Sequence, residues 1–344
     1  MDPSKQPPRL PRDYGFRISL PPGTEVKYLI ALEPLGFLEA YGADKTFHLK
    51  APENIDPQRT RPDVPAVWST ADDAGYANEV VAQIFIQCAD ALSNIRLKRG
   101  DVNRLKVALH ACKRETRTCE RAFLRLREAN NRIVAEINRT KGIRAEGNVI
   151  NDFPQIPNLD DDVGTFLGCA KSALQHIAEV LNEFYGTTVL NARFDHGINQ
   201  LEKLPQTSPY ILKSLREHQP DVVRILAFRD GITHTPKRTS VQNFHMTAQH
   251  LQQPKWTVNG EEPGNLIPEM HKMIGTIIDL AEETFFIGLQ DAIEQPAGPF
   301  QYAVTEVPPE ARGGTKIRYR LVFQFAAQAE SKLSEEGKPS GDGG

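Results

Sequence analysis

Residues Asp221–Arg238 read DVVRILAFRDGITHTPKR. Val222, Val223, Ile225, Leu226 and Phe228 give a short apolar helix, opened at Asp221 after the Gln219-Pro220 break. Pro236 stops whatever helix remains. Arg229 and His234 stand at i and i+5, about 140° apart on an ideal helix. They can meet where the chain leaves the helix between them, and Gly231 makes that easy. The stretch thus offers a fixed cation and a base that titrates near neutrality.

Helical texture surrounds this stretch. Asp160, Asp161 and Asp162 open a helix, where negative charge suits the dipole. Three adjacent helical Asp point in different directions and make a poor metal site. Val163, Phe166, Leu167, Ala170, Leu174, Ile177, Leu181 and Phe184 then form one apolar stripe, ending at Gly186. A shorter helix covers Ala192–Leu204, and Ser208-Pro209 starts another that runs to about His218. Thr235–Asn265 reads as a polar loop with an Asn259-Gly260 turn. A final long helix starts near Pro268 and runs through Leu289, closing a bundle of four to five helices.

In this setting Arg229-Asp230-Gly231-Ile232-Thr233-His234 resembles the Arg-(Asn/Asp/His)-x-x-x-His motif of HEPN domains. Two other Arg-to-His spacings, Arg104–His110 and Arg238–His245, lack the acidic residue and the short apolar helix. The resemblance covers about residues 160–292. It implies a small all-α domain and, in many members, a metal-independent ribonuclease in which the motifs of two protomers converge. The expected catalytic residues are Arg229, Asp230 and His234, with no metal and no cofactor. RNA is the expected substrate, a homodimer the expected assembly, and an antitoxin or regulatory protein a possible partner in a toxin or defence role. A non-catalytic HEPN-like module and a dimeric helical scaffold stay open as alternatives.

Upstream, Ser69-Thr70-Ala71-Asp72-Asp73 reads as a doubled helix start, followed by Val81, Phe85, Cys88, Leu92 and Ile95 at 4-3 spacing. A second helix carries Leu105, Leu109, Cys112, Thr116, Cys119, Phe123, Leu126, Asn130, Ile133 and Ile137 on one heptad seam. The Arg99-Gly100-Asp101 turn predicts an antiparallel hairpin, with Thr116 and Asn130 fixing register. The outside of the second helix is basic. Its Arg114, Arg117, Arg121 and Arg125, together with Lys237, Arg238 and a base-stacking Trp256, are the candidate RNA contacts. A solvated charged face is the plainer reading of that helix, and a core anchor the plainer reading of Trp256.

The remaining chain is mostly β-prone or polar. Phe16–Leu20, Val26–Leu32 and Thr46–Leu49 suggest strands in a loop-rich N-terminal cap. Gln301–Val304 and Ile317–Phe325 suggest a C-terminal hairpin that could pair with them. The expected organisation is a cap over 1–68, a hairpin over 69–145, a bundle over 159–293, a β hairpin over 300–326 and a disordered tail over 327–344. The fold class is mainly α, with a small β element from the terminal regions. Net charge is −3 across 344 residues, which excludes a global polycation. No run of 18 apolar residues predicts a membrane span, and the first residues lack an apolar signal core. Cys88, Cys112, Cys119 and Cys169 fall at apolar helical positions without metal-site spacing, as in a cytoplasmic protein with reduced thiols.

Overall fold

The structure is a computed structural model, and it describes residues 24–64, 66–93, 95–139, 153–205, 207–233, 239–247 and 251–325. Helices dominate, and several small antiparallel sheets accompany them. The chain divides into two compact units, one of Met1–Val107 with Ile293–Gly344 and one of Ala108–Ala292. The boundary falls inside a long helix, near its start, instead of at the Gly- and Pro-containing stretch before residue 159.

In the first unit, β1 (Tyr28–Leu32), β2 (Phe37–Tyr41), β3 (Thr46–Lys50) and β4 (Val67–Asp72) form an antiparallel sheet in sequence order. A short helix, α1 (Pro52–Ile55), lies in the β3–β4 connection. The region is therefore more than a loop-rich cap. Ala40, Phe47 and Leu49 form a small core, with Val26, Leu38 and Trp68 packed on it. Phe47 meets Trp68 edge-on at 5.5 Å. His48 stands opposite Glu39 across β2–β3, Nε2 2.9 Å from Oε1.

The expected helix start at Ser69–Asp73 is wrong, because Ser69 and Thr70 pair with His48 and Phe47 as part of β4. Cap-forming Ser and Thr also suit strands, and the neighbouring β3 decides between the two. Helix begins later, with a buried π-helical stretch Val80–Ile86 running into α2 (Gln87–Ala91). The wider turn is served by side chains, since Gln87 Nε2 donates to Gln83 O at 2.9 Å. Gln87 Oε1 accepts from the backbone N–H groups of Arg318 and Tyr319, at 2.9 and 3.1 Å. Those residues lead into the hairpin of β10 (Phe300–Glu306) and β11 (Tyr319–Phe325), which is antiparallel as expected. The hairpin forms its own two-stranded sheet and does not pair with β1–β4.

Helix α3 (Val102–Arg139), which belongs to the second unit from Ala108 on, runs 38 residues with its predicted seam buried from Leu105 to Asn130. The seam packs inside the chain. Cys119 Sγ lies 3.3 Å from Phe166 O, and the Phe123 ring stacks on His271 at 5.3 Å. From Leu105 to Asn130 this seam is therefore covered by the chain itself. Thr116 bonds back to Cys112 O within α3 at 2.8 Å, while Asn130 reaches Gln253 at 3.3 Å.

Helix α4 (Leu159–Tyr185) buries its whole predicted stripe and ends at Gly186, whose φ of 68° suits a left-handed cap. Then follow α5 (Phe194–Leu201), α6 (Pro209–Thr233) and α7 (Leu266–Ala292), with α4, α6 and α7 packed on one another. Ser208 Oγ accepts the Tyr210 N–H at 3.1 Å and caps α6. The expected break at Gln219-Pro220 does not occur, and Pro220 sits inside a continuous helix. Buried Ile211, Leu215, Val222, Ile225 and Phe228 hold both sides of Pro220 on the core, which offsets the lost hydrogen bond.

His218 of α6 shows the same interface from its polar side. Its Nε2 lies 3.3 Å from Glu283 Oε2, which also accepts from Ser214 Oγ at 2.6 Å. The Glu283 hydrogen bond raises the His218 pKa above 6.5 against burial, with Asp279 and Asp221 adding to the pull. A raised pKa stabilises the fold fully below pH 6.5, and the gain is lost as pH rises through the folded value. Urea titrations across pH 5.5–8.5 should therefore show wild-type stability falling above pH 6.5. His218→Gln should flatten that slope, and an unchanged slope would remove the pair from the account.

Candidate functional site

Between α6 and α7 the polar stretch contains β5 (Thr239–Gln242), β6 (His245–Met246), β7 (Leu251–Gln252), β8 (Lys255–Val258) and β9 (Gly264–Asn265). It is not a bare loop. Strands β5, β8 and β9 form an antiparallel sheet in that order, and β6 pairs with β7. Asn259 and Gly260 both take positive φ, 54° and 76°, as the tight β8–β9 turn requires.

This small sheet is fastened to the end of α6. Phe228 is fully buried and stacks on Trp256 of β8, ring centroids 4.2 Å apart and 28° from parallel. The Trp256 indole N–H donates to Glu269 Oε2 at 3.0 Å. The same oxygen accepts from Arg224, whose guanidinium lies over the Phe228 ring at 5.0 Å. Arg224 also meets Glu261 at 2.7 Å. Trp256 is 1% exposed, so it anchors the core and is not open to a base, which corrects its assignment as an RNA contact.

Gly231 has a different role from the one expected. The helix continues through it to Thr233, so it is not the point where the chain leaves α6. A Cβ there would fall 1.8 Å from Thr239 Oγ1, so glycine is required for β5 to approach the helix. Thr239 Oγ1 also lies 3.5 Å from Phe228 O.

At this pinned end stand Arg229 and Asp230. Arg229 Nη1 lies 3.0 Å from Asp230 Oδ1. Lys171 of α4 brings its Nζ to the same oxygen at 3.5 Å. Burial alone raises the Asp230 carboxyl. The Arg229 hydrogen bond and the Lys171 charge outweigh that and hold it below the ordinary carboxylate range. Asp230 is thus a fixed anion that orients two cations, and the three groups together carry one net positive charge. Lys171 was not legible as part of this group, since on α4 it is one polar residue beside an apolar stripe. His234, Lys237 and Arg238 lie outside the described residues.

The basic outer face of α3 is divided by its packing. Arg114 and Arg125 are exposed, paired with Glu115 at 3.0 Å and with Asp162 at 2.5 Å. Arg121 is half-buried and meets Thr118 Oγ1 at 3.2 Å. Arg117 is 4% exposed and pairs with Glu120, and Lys113 is likewise buried. Arg117 therefore cannot act as an open RNA contact. The heptad rule places it outside one seam, but α3 is covered on more than that side.

Comparison of the chain with protein-family models, curated proteins and solved structures returned no match in any of the three. No helix among the described residues is long and apolar enough to cross a membrane.

Proposed function

We propose that the chain is an endoribonuclease of the HEPN kind, with Arg229, Asp230 and His234 as its reacting groups. The observation carrying this reading is the Arg229–Asp230–Lys171 group, held at the end of α6 on a rigid aromatic base. His234 comes directly after α6 in the sequence and supplies an imidazole, the side-chain type suited to proton transfer near neutral pH. In the reaction, the 2′-hydroxyl gives its proton to the imidazole and its oxygen bonds to the adjacent phosphorus. The bond to the 5′-oxygen breaks, that oxygen takes a proton from water as it leaves, and the imidazolium returns its proton to the solvent. The guanidinium stabilises the charge that builds on the phosphoryl oxygens.

The HEPN resemblance adds a homodimer, a metal-independent mechanism and a cytoplasmic toxin or defence role with an antitoxin or other regulator. The rival reading is a non-catalytic RNA- or nucleotide-binding module. It is favoured by Asp230 being engaged by both neighbouring cations, as in a structural ion-pair group. Purified protein in excess EDTA, given labelled single-stranded RNA and DNA of the same sequence, decides between them. The nuclease reading expects the RNA cut and the DNA intact. Intact RNA, or cutting only after divalent metal is added, would reject it.

A further inference from the structure

The first unit carries an exposed aromatic surface that the site on α6 does not explain. In the β10–β11 hairpin, Phe300 pairs with Phe325 and Tyr302 with Phe323. Directly opposed residues share a face of the ribbon, so the four rings form one cluster. Phe300 and Phe323 stack at 5.1 Å and 14°, Phe300 and Phe325 meet at 4.3 Å, and Tyr302 and Phe323 at 5.3 Å. Yet Phe300, Phe323 and Phe325 remain 36%, 55% and 51% exposed. Single exposed apolar residues are ordinary, whereas an ordered group of three marks a contact surface.

Two observations choose the occupant. The first is area. Three such side chains leave roughly 300 Å² open, so two copies face to face would bury about 600 Å². That is about half of what a stable dimer needs. The second is charge. Residues 300–325 hold Arg312, Lys316, Arg318 and Arg320 against Glu306 and Glu310, in a chain of net charge −3. Arg312 pairs with Glu306 and Lys316 with Glu79. Arg318 lies over the Tyr319 ring at 5.6 Å, and Tyr319 continues the aromatic face. Arg320 is exposed on the opposite face of the ribbon, level with Thr305. Flat π-faces next to cations suit unpaired bases on a phosphate backbone.

We propose that the aromatic face of the β10–β11 hairpin binds single-stranded RNA, stacking bases on Phe300, Phe323 and Phe325 with the backbone drawn by Arg318 at the Tyr319 end of that face. The choice of RNA over other single strands rests on the nuclease reading; the stacking surface does not. The test is fluorescence anisotropy with a labelled 12-nucleotide uridine-rich RNA, in the His234→Ala background so that the probe survives. Phe323→Ala with Phe325→Ala should raise Kd at least about tenfold, the loss of one or two stacked bases. Phe323→Trp, which keeps a π-face, should stay within about threefold. Circular dichroism and sedimentation of the variants should match the parent. Double-variant binding within twofold of the parent, or no RNA binding by the parent at tens of micromolar, would overturn the proposal. So would a double variant that shifts from dimer to monomer, since a second copy would then cover the face. RNA that binds here but is never cut by the wild type would leave this surface standing and sink the nuclease reading.

Discussion

Replacing Arg229 or His234 with Ala should lower RNA cleavage about a hundredfold to ten-thousandfold each. The two losses have different causes. On the proposed mechanism, loss of His234 would leave the 2′-hydroxyl without a base, and loss of Arg229 would take from the phosphoryl charge its fork of donors. Arg229 lies partly exposed at the end of α6, and its ion pair with Asp230 is solvent-screened. Its removal should cost folding stability about 1 kcal/mol or less. Single-turnover cleavage and a urea titration on the same preparations check both halves. Variants that cut at the wild-type rate while folded would remove these residues from the mechanism. Unfolded variants would make the group structural.

Trp256→Ala should act in the opposite way, with stability as the main loss. The ring is fully buried, stacks on Phe228 and donates to Glu269, which also holds Arg224. Deleting a buried Trp costs about 3–5 kcal/mol, and here it also leaves Glu269 with one donor fewer. Chemical denaturation should show that drop, and cleavage should fall with it because the end of α6 loses its support. A cost below about 1 kcal/mol would mean that the small sheet does not brace α6. Trp256→Phe, which keeps the stack and loses the indole N–H, separates the two contributions.

How much of this was legible follows from the range of each interaction. The α4 stripe and the α3 seam are local periodicities, and the residues named from them are buried except Ile133 and Ile137 near the end of α3. Ser208-Pro209 and Gly186 mark helix ends through their own backbone chemistry, and both do so here. The misreadings lie where a distant partner decides. Ser69-Thr70 become strand because β3 is beside them, and Pro220 stays helical because its neighbours are packed on the core. The stretch after α6 looks like loop because β5 pairs with β8 across many residues. At the candidate site, Arg229 and Asp230 were visible as a motif. Lys171 was not, because it arrives from α4, 59 residues away in sequence. The sequence suggests backbone freedom at Gly231, whereas its use is the space it leaves for Thr239.

The most direct test of the central claim uses one RNA in which a single ribose within a cleaved step is replaced by deoxyribose. Cleavage products are separated and their ends read by mass spectrometry, with EDTA present. The account predicts 2′,3′-cyclic phosphate and 5′-hydroxyl ends at the ribose steps, and no cut at the deoxy step. A cut at the deoxy step, or products ending in a 3′-hydroxyl, would contradict attack by the neighbouring hydroxyl and with it the roles given to Arg229 and His234.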